Sequence, residues 1–571
     1  MKTRSLQRRY AIGRGITAVI IIIILVIVGA GAYFVLTPST ATTTSPTSST
    51  PTSSTTTPPT LASGTLSVSF ANVPVTDPAK GSDEASSTAL VNLYDSLVFP
   101  TSAGTLQPDL ATSWQVSSDG LTYTFKMRQG VTFHNGDPVT ASDVVFSMNR
   151  LITVGQGYSY LFSPYIGNVT ALDSSTVAIH LKKTFGPFLT ALVRLYILDQ
   201  KQVVANIGSG PYGSNGDYGS TWLLTHDAGS GPYSIQAANL ESFMTLQAYT
   251  NYWNGTQTNQ PSTVQIIGST SSTQALFSSK QIQITDQWQP YSTVASLAQL
   301  KGAKLVTIPT VNEFYLMINT KQAPTDDIFV REAMTYAFNY TAVVNDIFTG
   351  SKPSAGPVPS ALPGHDSAIP VGQQNLALAK QLMAKSKYAG QLNNYPVKYF
   401  WVTQVPAEQK MALQFASDMQ QIGITVQVIG QPWLTVVADL ANLTSSPNIV
   451  SIQDGASYFE AGSVLQSRYT SASDGTWEQN EWLQNTTLDN MIYSALSTLD
   501  QTARFKAYAT IQQQIYNMYP TICAFDVYEV RAYYPTVVNW YAANGHPIVL
   551  LGYDFYFRDF QFYPSQLAAL G

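Results

Sequence analysis

Residues 108–147 read PDLATSWQVSSDGLTYTFKMRQGVTFHNGDPVTASDVVFS, the most informative segment of the chain. Residues 121–127 alternate apolar and polar side chains, which is the period of a strand, and Gly120 suits the preceding turn because glycine tolerates positive φ. Residues 135–138, Asn-Gly-Asp-Pro, predict a second turn, and Thr140 is placed to cap the helix that follows. The pattern therefore predicts strand, turn, strand, turn and helix, a small α/β unit.

The order of residues in this stretch resembles the family 5 solute-binding proteins of ABC importers, the dipeptide and oligopeptide receptors. Later blocks match the same family in the right order, namely residues 228–233, 251–255 and 315–320. The resemblance covers about residues 65–563. It implies an α/β, two-lobed periplasmic-binding-protein-like fold of type II, with the extra domain of the oligopeptide-binding family. One transmembrane helix and a Ser/Thr/Pro stalk are expected to precede this fold.

The matched blocks give a division of the chain into segments. Apolar spacing also predicts a helix over 89–97, alternation predicts a strand over 280–286, and the lobes are expected to connect near residues 310–315 and near Thr536. The segments are a basic leader (1–15), a transmembrane anchor or signal (16–36), a disordered Ser/Thr/Pro-rich stalk (37–63), the first part of lobe I (64–97), the extra domain of lobe I (98–215), the second part of lobe I (216–311), lobe II (312–535) and a return to lobe I (536–571).

The amino terminus has the pattern of a membrane anchor. Residues 16–36 are uncharged and mostly apolar, and their length of 21 residues matches the roughly 20 that span a bilayer as a helix. Five basic residues precede this run and no acidic residue does, so the positive-inside rule predicts a single-pass protein of the cell membrane, with its binding domain on the extracellular face. A cleaved secretory signal is the main alternative, and a buried core helix is a weaker one.

The leader and the stalk refine this prediction. Arg14-Gly15-Ile16 resembles the processing site of archaeal pilin-type leader peptides, where cleavage would leave the apolar helix on the mature protein; this identifies an archaeal membrane-anchored form. Residues 37–63 are nearly all Ser, Thr or Pro and have no apolar surface to offset the entropy of ordering. They are expected to form an extended stalk, a plausible site of O-glycosylation.

Charge and composition exclude several partners. The net charge is −5, and removing the five positive charges of the leader leaves −10, which argues against nucleic acid or anionic lipid as a partner. Only 11% of residues are charged, against about 25% in ordinary soluble domains, and we interpret this as suited to an acidic exterior.

Cys523 is the one cysteine and is expected to be a buried structural thiol. The glycosylation sequons, which fit an outside location, begin at Asn168, Asn254, Asn339, Asn442 and Asn485.

Motifs for catalysis and cofactors are weak. Residues 208–213 satisfy G-x-G-x-x-G, but a proline lies inside the motif and a Gly/Asn-rich loop follows where phosphate binding needs a helix. The five histidines lack metal-ligand spacing, and His134 is expected to have a structural role at its turn. The adjacent acids Asp326 and Asp327 predict a helix cap more strongly than a glycosidase dyad. We expect no enzyme activity, no cofactor and no metal.

The resemblance points to residues 451–458 as part of the ligand site. It implies that Asp454 pairs with the free α-amino group of a bound peptide, because a desolvated ammonium needs an opposite charge and hydrogen-bond acceptors. The alternative is that Asp454 and Gly455 only form a turn. The aromatic candidates lie in segments that face the cleft in relatives, although each could instead be a core residue; they are Tyr94, Trp288, Trp401, Trp433 and Tyr458.

The predicted function is the extracytoplasmic substrate-binding component of an ABC importer. A peptide would bridge the two lobes and stabilise the closed form, which docks on the permease subunits with their ATPases. Oligosaccharide is the alternative ligand, because flat aromatic faces hold sugar rings as well as peptide side chains. A surface hydrolase or an adhesion protein is the alternative from a different class.

Overall fold

The computed structural model describes residues 59–269, 271–403 and 405–570. Its strands are β1 (Ala62–Phe70), β2 (Val98–Pro100), β3 (Leu106–Pro108), β4 (Ala111–Val116), β5 (Thr122–Met127), β6 (Ile166–Asp173), β7 (Thr176–Leu181), β8 (Tyr233–Asn239), β9 (Phe243–Ala248), β10 (Pro261–Gly268), β11 (Lys304–Ile318), β12 (Val397–Val402), β13 (Val426–Gln431), β14 (Ile449–Gly455), β15 (Thr521–Tyr533), β16 (Val538–Asn539) and β17 (Gln561–Phe562).

The α-helices of these residues alternate with the strands over much of the chain. They are α1 (Glu84–Leu93), α2 (Ala141–Val154), α3 (Phe188–Ala191), α4 (Gln200–Ala205), α5 (Thr273–Ser278), α6 (Tyr291–Leu297), α7 (Ile328–Ala337), α8 (Tyr340–Ala342), α9 (Leu376–Met383), α10 (Pro406–Gln420), α11 (Trp433–Leu440), α12 (Gly462–Tyr469), α13 (Thr486–Ser497), α14 (Gln501–Tyr516) and α15 (Pro564–Ala569).

The predicted strand, turn, strand, turn and helix over residues 108–147 are confirmed. Strands β4 and β5 pair antiparallel across Gly120, which takes φ +69°, and they continue into the four-stranded sheet β4-β5-β7-β6. Helix α2 begins at Ala141 with a capping box, in which the Asp143 carboxylate accepts hydrogen bonds from the backbone N–H and the hydroxyl of Thr140. This sheet and α2 lie within residues 98–215, the segment predicted as the extra domain of the first lobe.

Two of the sequence blocks lie against one another. His134, from the turn after β5, donates from Nε2 to the Gly231 carbonyl at 2.9 Å and from Nδ1 to the Asp227 carboxylate. Burial lowers the pKa of His134 and the Asp227 carboxylate raises it, and the net effect is a raised pKa. The protonated ring can donate from both nitrogens. Gly229 has no room for a side chain, since a Cβ there would lie 1.8 Å from the Leu93 carbonyl oxygen. The structural role predicted for His134 is therefore confirmed, and the glycines of residues 228–233 are needed for close packing.

The rest of the first lobe is built on the sheet β1-β10-β9-β8, in which β1 and β10 are parallel. The helix predicted over 89–97 is α1, which begins earlier because Asp83 caps it by accepting from the Ser86 N–H. It ends before Tyr94 because Asp95 leaves the helix to accept hydrogen bonds from Ser230 and Tyr252. The sequence pattern placed this helix about four residues too late.

Two long strands, β11 and β15, connect the lobes. They pair antiparallel along their length, from Lys304 opposite Tyr533 to Met317 opposite Thr521. The ladder skips two residues of β11 between Pro309 and Asn312, and a proline cannot donate a ladder hydrogen bond. Thr310 closes this gap, because its hydroxyl donates to the Val527 carbonyl at 2.5 Å and accepts from the Asn312 N–H at 3.0 Å.

The second lobe is built on the five-stranded sheet β13-β12-β14-β11-β15. Helices α7, α9 and α10 cover one face with a core that includes Phe314 and Leu316, and α11 packs on the other face beside Tyr315 and Met317. Residues 280–286, predicted as a strand, form only isolated bridges, because Ile284 alone pairs with Val68 and Tyr533. Residue 284 therefore joins the first-lobe sheet to β15 without a strand of its own.

The predicted leader (1–15) and the apolar segment (16–36) lie outside the described residues, as does nearly all of the stalk (37–63). Among the helices that the structure describes, none has the length and apolar character needed to span a bilayer. The anchor remains a prediction from the sequence.

Candidate ligand-binding site between the lobes

The register of two strands places two acids side by side in the second lobe. Glu313 on β11 pairs directly with Asp454 on β14, and both side chains are buried. Like charges opposite one another are unfavourable, and Arg468 from α12 lies between them. Its Nη1 donates to Glu313 at 2.6 Å, its Nη2 donates to the Asp454 carbonyl at 2.8 Å, and its Nε lies 3.4 Å from the Asp454 carboxylate. Tyr315 packs its ring 4.0 Å below the guanidinium.

Arg468 forms ion pairs with two acids, and its charge also acts on Glu478 and Glu481. Burial raises the pKa of Glu313 to about 7, and burial raises the pKa of Glu478 and of Glu481 to about 8. Burial also raises the pKa of Asp454, and the Arg468 charge opposes that shift. At neutral pH, Glu313, Glu478 and Glu481 are therefore protonated to a large extent, and the ionised form of each is disfavoured by burial. A cationic ligand would favour the ionised form of these acids.

The first lobe contributes the opposite wall. Tyr160, in a 3₁₀ turn over Gly157–Leu161, hydrogen-bonds the Ser457 hydroxyl from across the cleft. The buried Arg194 donates from Nε to the Ser457 carbonyl at 3.3 Å, and Phe185 meets Tyr458 edge to face with ring centroids 5.7 Å apart. The residues that follow β14 are therefore in contact with the first lobe, and Tyr458 belongs to the same continuous core as Phe185.

Two buried hydroxyl groups at this site lack hydrogen-bond partners. The side chains of Tyr315 and Tyr458 are 0% and 1% exposed, and neither phenolic oxygen has a hydrogen-bond partner. A buried polar group without a partner costs free energy, so such groups in a cleft indicate a place that a ligand fills. No three His, Cys, Asp or Glu side chains of the described residues are grouped to hold a metal ion.

The structure brings together some of the predicted site residues. Asp454 and Tyr458 lie in the group just described, and Trp433 packs on the same face of the sheet, 5.6 Å from Trp477 between ring centroids. Trp401 packs with the core on the opposite face, because alternate residues of β12 point to opposite sides, and its ring lies against Gly430.

The other two aromatic candidates lie in the first lobe. Tyr94 is buried at the end of α1 and donates its hydroxyl to the Thr76 carbonyl at 3.1 Å, so that hydroxyl already has a partner inside the lobe. Trp288 lies in the loop after residue 284, where its backbone N–H donates to Asp286 at 2.9 Å and its buried indole N–H has no partner. Neither is brought next to Asp454 by any contact of the described residues.

A cavity lies inside the second lobe. It has a volume of about 220 Å³, and its lining includes Tyr336, Tyr340, Tyr516, Tyr519 and Cys523. The prediction of a buried thiol needs correction, because Cys523 is only partly buried and lines this cavity. Burial raises the pKa of its thiol, and the nearby Glu313 carboxylate adds to that shift.

The fold and the cleft define a two-lobed binding protein, and comparison with known proteins gives its family. Residues 105–476 match the family model described as bacterial extracellular solute-binding proteins, family 5, middle, which is more than half of the chain. The chain therefore belongs to family 5 of the extracellular solute-binding proteins, which are binding components of ABC importers rather than enzymes.

Relatives agree with this assignment. The probable D,D-dipeptide-binding periplasmic protein of Escherichia coli (strain K12) is 26% identical over 419 residues, which are 72% of this chain and 77% of that protein. An ABC transporter-associated periplasmic binding protein from Helicobacter pylori, solved with the peptide STSA, has a TM-score of 0.73 at 21% identity, covering 87% of this chain and 98% of its own. A binding protein from Agrobacterium (A. tumefacien R10), solved with agropinic acid, has a TM-score of 0.71 at 19% identity, covering 88% and 99%. The last two show the mixed α/β two-domain fold.

Proposed function

We propose that this protein captures peptides with a free amino terminus in the cleft between its lobes and delivers them to an ABC permease. The observation that carries the proposal is Asp454, a buried carboxylate at the cleft that pairs with Arg468. An ammonium group buried there would meet its countercharge and several acceptors. Two relatives support the same ligand class, because one is named as a dipeptide-binding protein and the other was solved with a bound peptide.

Oligosaccharide is the weaker candidate. The Trp433 and Trp477 rings on the Asp454 face could pack against a sugar. A neutral sugar, however, brings no positive charge to a group that contains several acids and one guanidinium. The electrostatics of the cleft therefore favour a cationic group on the ligand.

Closure of the lobes links binding to transport. Ser457 lies three residues beyond Asp454 and contacts two residues of the other lobe. Its hydroxyl shares a hydrogen bond with the Tyr160 hydroxyl, and its carbonyl accepts a hydrogen bond from Arg194. A ligand that contacts both walls binds the closed form more tightly than the open form, and it therefore stabilises the closed form. The closed form is the one that we propose docks on the permease.

Ligand binding is expected to compact the protein and to raise its melting temperature. At a concentration of 100 times Kd, a ligand that binds only the folded state stabilises it by about 2.7 kcal/mol. Small-angle scattering and thermal unfolding should be measured with a mixture of short peptides and with a mixture of oligosaccharides. A response to the oligosaccharides alone would overturn the peptide assignment, and no response to either would favour the adhesion alternative.

We further propose that the domain is held at the outer face of the cell membrane by residues 16–36. The proposal rests on the basic leader and the uncharged 21-residue run. The mature protein is expected to begin at or near Ile16 and to fractionate with membranes. The intact mass of native protein tests this, and a soluble product that begins beyond Leu36 would exclude the anchor.

A further inference from the structure

The cavity in the second lobe is large enough for a small molecule. It is bounded by α7 and α8, by the end of α14 and the start of β15, and by the loops at residues 354–357 and 370–373. Its volume of about 220 Å³ exceeds the roughly 150 Å³ of a cavity that can hold benzene. Voids of this size are few in a protein interior. Its described lining includes none of Glu313, Asp454 and Arg468, so it is distinct from the charged group of the cleft.

Several polar groups of the cavity wall are already bonded within the protein. Four hydroxyl groups donate to protein acceptors, namely Thr335 to the Arg331 carbonyl at 3.0 Å, Tyr340 to the Thr335 carbonyl at 3.1 Å, Ser354 to the Asp526 carboxylate at 3.0 Å and Thr521 to the Glu481 carboxylate at 2.7 Å. Ordered water in a cavity needs two to four polar partners, and these four donors are engaged elsewhere. The wall therefore suits a ligand with apolar surface better than a cluster of waters.

The wall of the cavity is uncharged. Among its described lining residues, none is Asp, Glu, His, Lys or Arg. Burial raises the pKa of Tyr516 to about 12 and also raises the pKa of Cys523, so this phenol and this thiol are neutral at pH 7. A charged group that entered would lose its hydration and meet no countercharge in the wall. The cavity therefore suits an uncharged molecule and disfavours a peptide terminus, a free amino acid or a phosphate.

Tyrosine rings give the wall its specificity. The Tyr519 ring lies 6.4 Å from that of Tyr336 and 5.8 Å from that of Tyr516 between centroids, with tilted planes. The Tyr340 ring packs against Gly372, where a Cβ would lie 2.4 Å from its Cε1 atom. Aromatic rings attract one another in tilted and edge-to-face contacts, and they are also attracted by sulfur such as that of Cys523. An aromatic ring is therefore the apolar group that this wall fits best.

The cavity has an opening at the protein surface. Val371 lines it and is 45% exposed, and the neighbouring Pro370 and Gln373 are exposed as well. Ser354 and Thr521, which also line it, are buried. The loop at residues 370–373 is therefore the entrance, and the buried residues form the interior of the cavity.

We propose that this cavity is a second binding site, which takes a small, uncharged, single-ring aromatic compound between the four tyrosines and Cys523. This goes beyond the proposed function, because it assigns a site and a ligand class that peptide capture at Asp454 does not require.

The first test is calorimetric titration of the full-length protein with p-cresol at pH 7, compared with the variants Thr335→Leu and Thr510→Leu. Leucine at residue 335 adds bulk inside the cavity and should weaken p-cresol binding at least about tenfold. Thr510 is the matched control, because it is exposed on α14 and its hydroxyl makes the same bond one helical turn back, to the Lys506 carbonyl at 3.2 Å. Thr510→Leu should bind p-cresol like the wild type.

The second test locates the ligand without a variant. Cys523 is the one cysteine of the chain, so the rate of its reaction with methyl methanethiosulfonate, followed by intact mass, reports on this cavity alone. At about ten times Kd, about nine-tenths of the molecules hold p-cresol, so the reaction should slow about tenfold.

Four results would overturn this inference. The first is the absence of p-cresol binding to the wild type. The second is binding that Thr335→Leu leaves unchanged or that leaves Cys523 unprotected, because p-cresol would then occupy another place. The third is tighter binding of tetramethylammonium than of p-cresol, which would contradict an uncharged ligand. The fourth is protection of Cys523 by the peptide Ala-Tyr-Ala and not by p-cresol, because the cavity would then belong to the peptide site. The first three results leave the proposed function unaffected, since neither measurement with p-cresol involves a peptide.

Discussion

Asp454→Asn is expected to lower the affinity for a peptide with a free amino terminus by about 3–5 kcal/mol, because it leaves a buried ammonium without its countercharge. The variant keeps the size of the side chain, and asparagine can still accept a hydrogen bond near Arg468. Calorimetric titration of both proteins with one tripeptide measures the loss directly.

Two further ligands control this experiment. The amino-terminally acetylated form of the same peptide has no ammonium, so its affinity should hardly change between the two proteins. A neutral oligosaccharide should lose about 1 kcal/mol, the contribution of one ordinary hydrogen bond. If the free-amine peptide binds both proteins equally, Asp454 is not part of the site, and its contacts with Arg468 serve the fold alone.

Glu408→Gln is expected to stabilise the protein at pH 8 by about 4 kcal/mol and to have little effect at pH 4. Glu408 on α10 is buried, accepts a hydrogen bond from the Val402 N–H at 2.8 Å and forms no ion pair within the described residues. Burial raises its pKa from 4.5 to about 8. A raised pKa means that the folded state holds the proton more tightly, so this contribution to stability is fully present below about pH 4.5 and is lost as the pH rises through about 8.

The measurement is the free energy of unfolding by denaturant between pH 4 and pH 8.5. The wild type should lose about 1.4 kcal/mol for each pH unit between the two pKa values from this group alone. Glutamine mimics the protonated acid, so the variant should show a correspondingly flatter profile. Glu241→Gln, at an exposed site, should follow the wild type, and a Glu408→Gln profile parallel to that of the wild type would show that Glu408 does not titrate in this range.

This pH dependence bears on the low charge of the chain. The pKa values of Glu313, Glu478 and Glu481 are raised in the same way as that of Glu408, so the unliganded protein should be more stable in acid than at neutral pH. The interpretation of the composition as suited to an acidic exterior and the behaviour of these buried acids therefore lead to the same expectation.

Local features of the fold were predictable from the sequence. Gly120, the Thr140 cap and the Asp327 cap each depend on a few neighbouring residues, and each has the predicted role in the structure. The errors occurred where distant contacts decide the local structure. Asp95 leaves α1 to serve as an acceptor for residues more than 130 positions away, and residues 280–286 have a strand pattern but only one paired position.

The candidate site was predictable only in part. Asp454 followed from the resemblance, whereas Glu313, Arg468 and Tyr160 come from three separate segments that only the folded chain brings together. One signal was present in the sequence, because Arg468 is the only lysine or arginine between residues 411 and 503. A lone arginine in so long a segment indicates a specific acidic partner. The identity of that partner depends on the register of β11 and β14, which no local pattern gives.

The strands that join the lobes also hold the charged group of the cleft. Glu313 is the first residue after the paired position Asn312, and register shifts occur on both sides of it, between Pro309 and Asn312 and between Phe314 and Tyr315. If bending between the lobes is concentrated at these irregular positions, rotation of one lobe moves the Glu313 carboxylate relative to Arg468. The charge of the ligand and the angle between the lobes would then be thermodynamically linked. Neutralising Glu313 should therefore change the fraction of molecules in the open form even when no ligand is present.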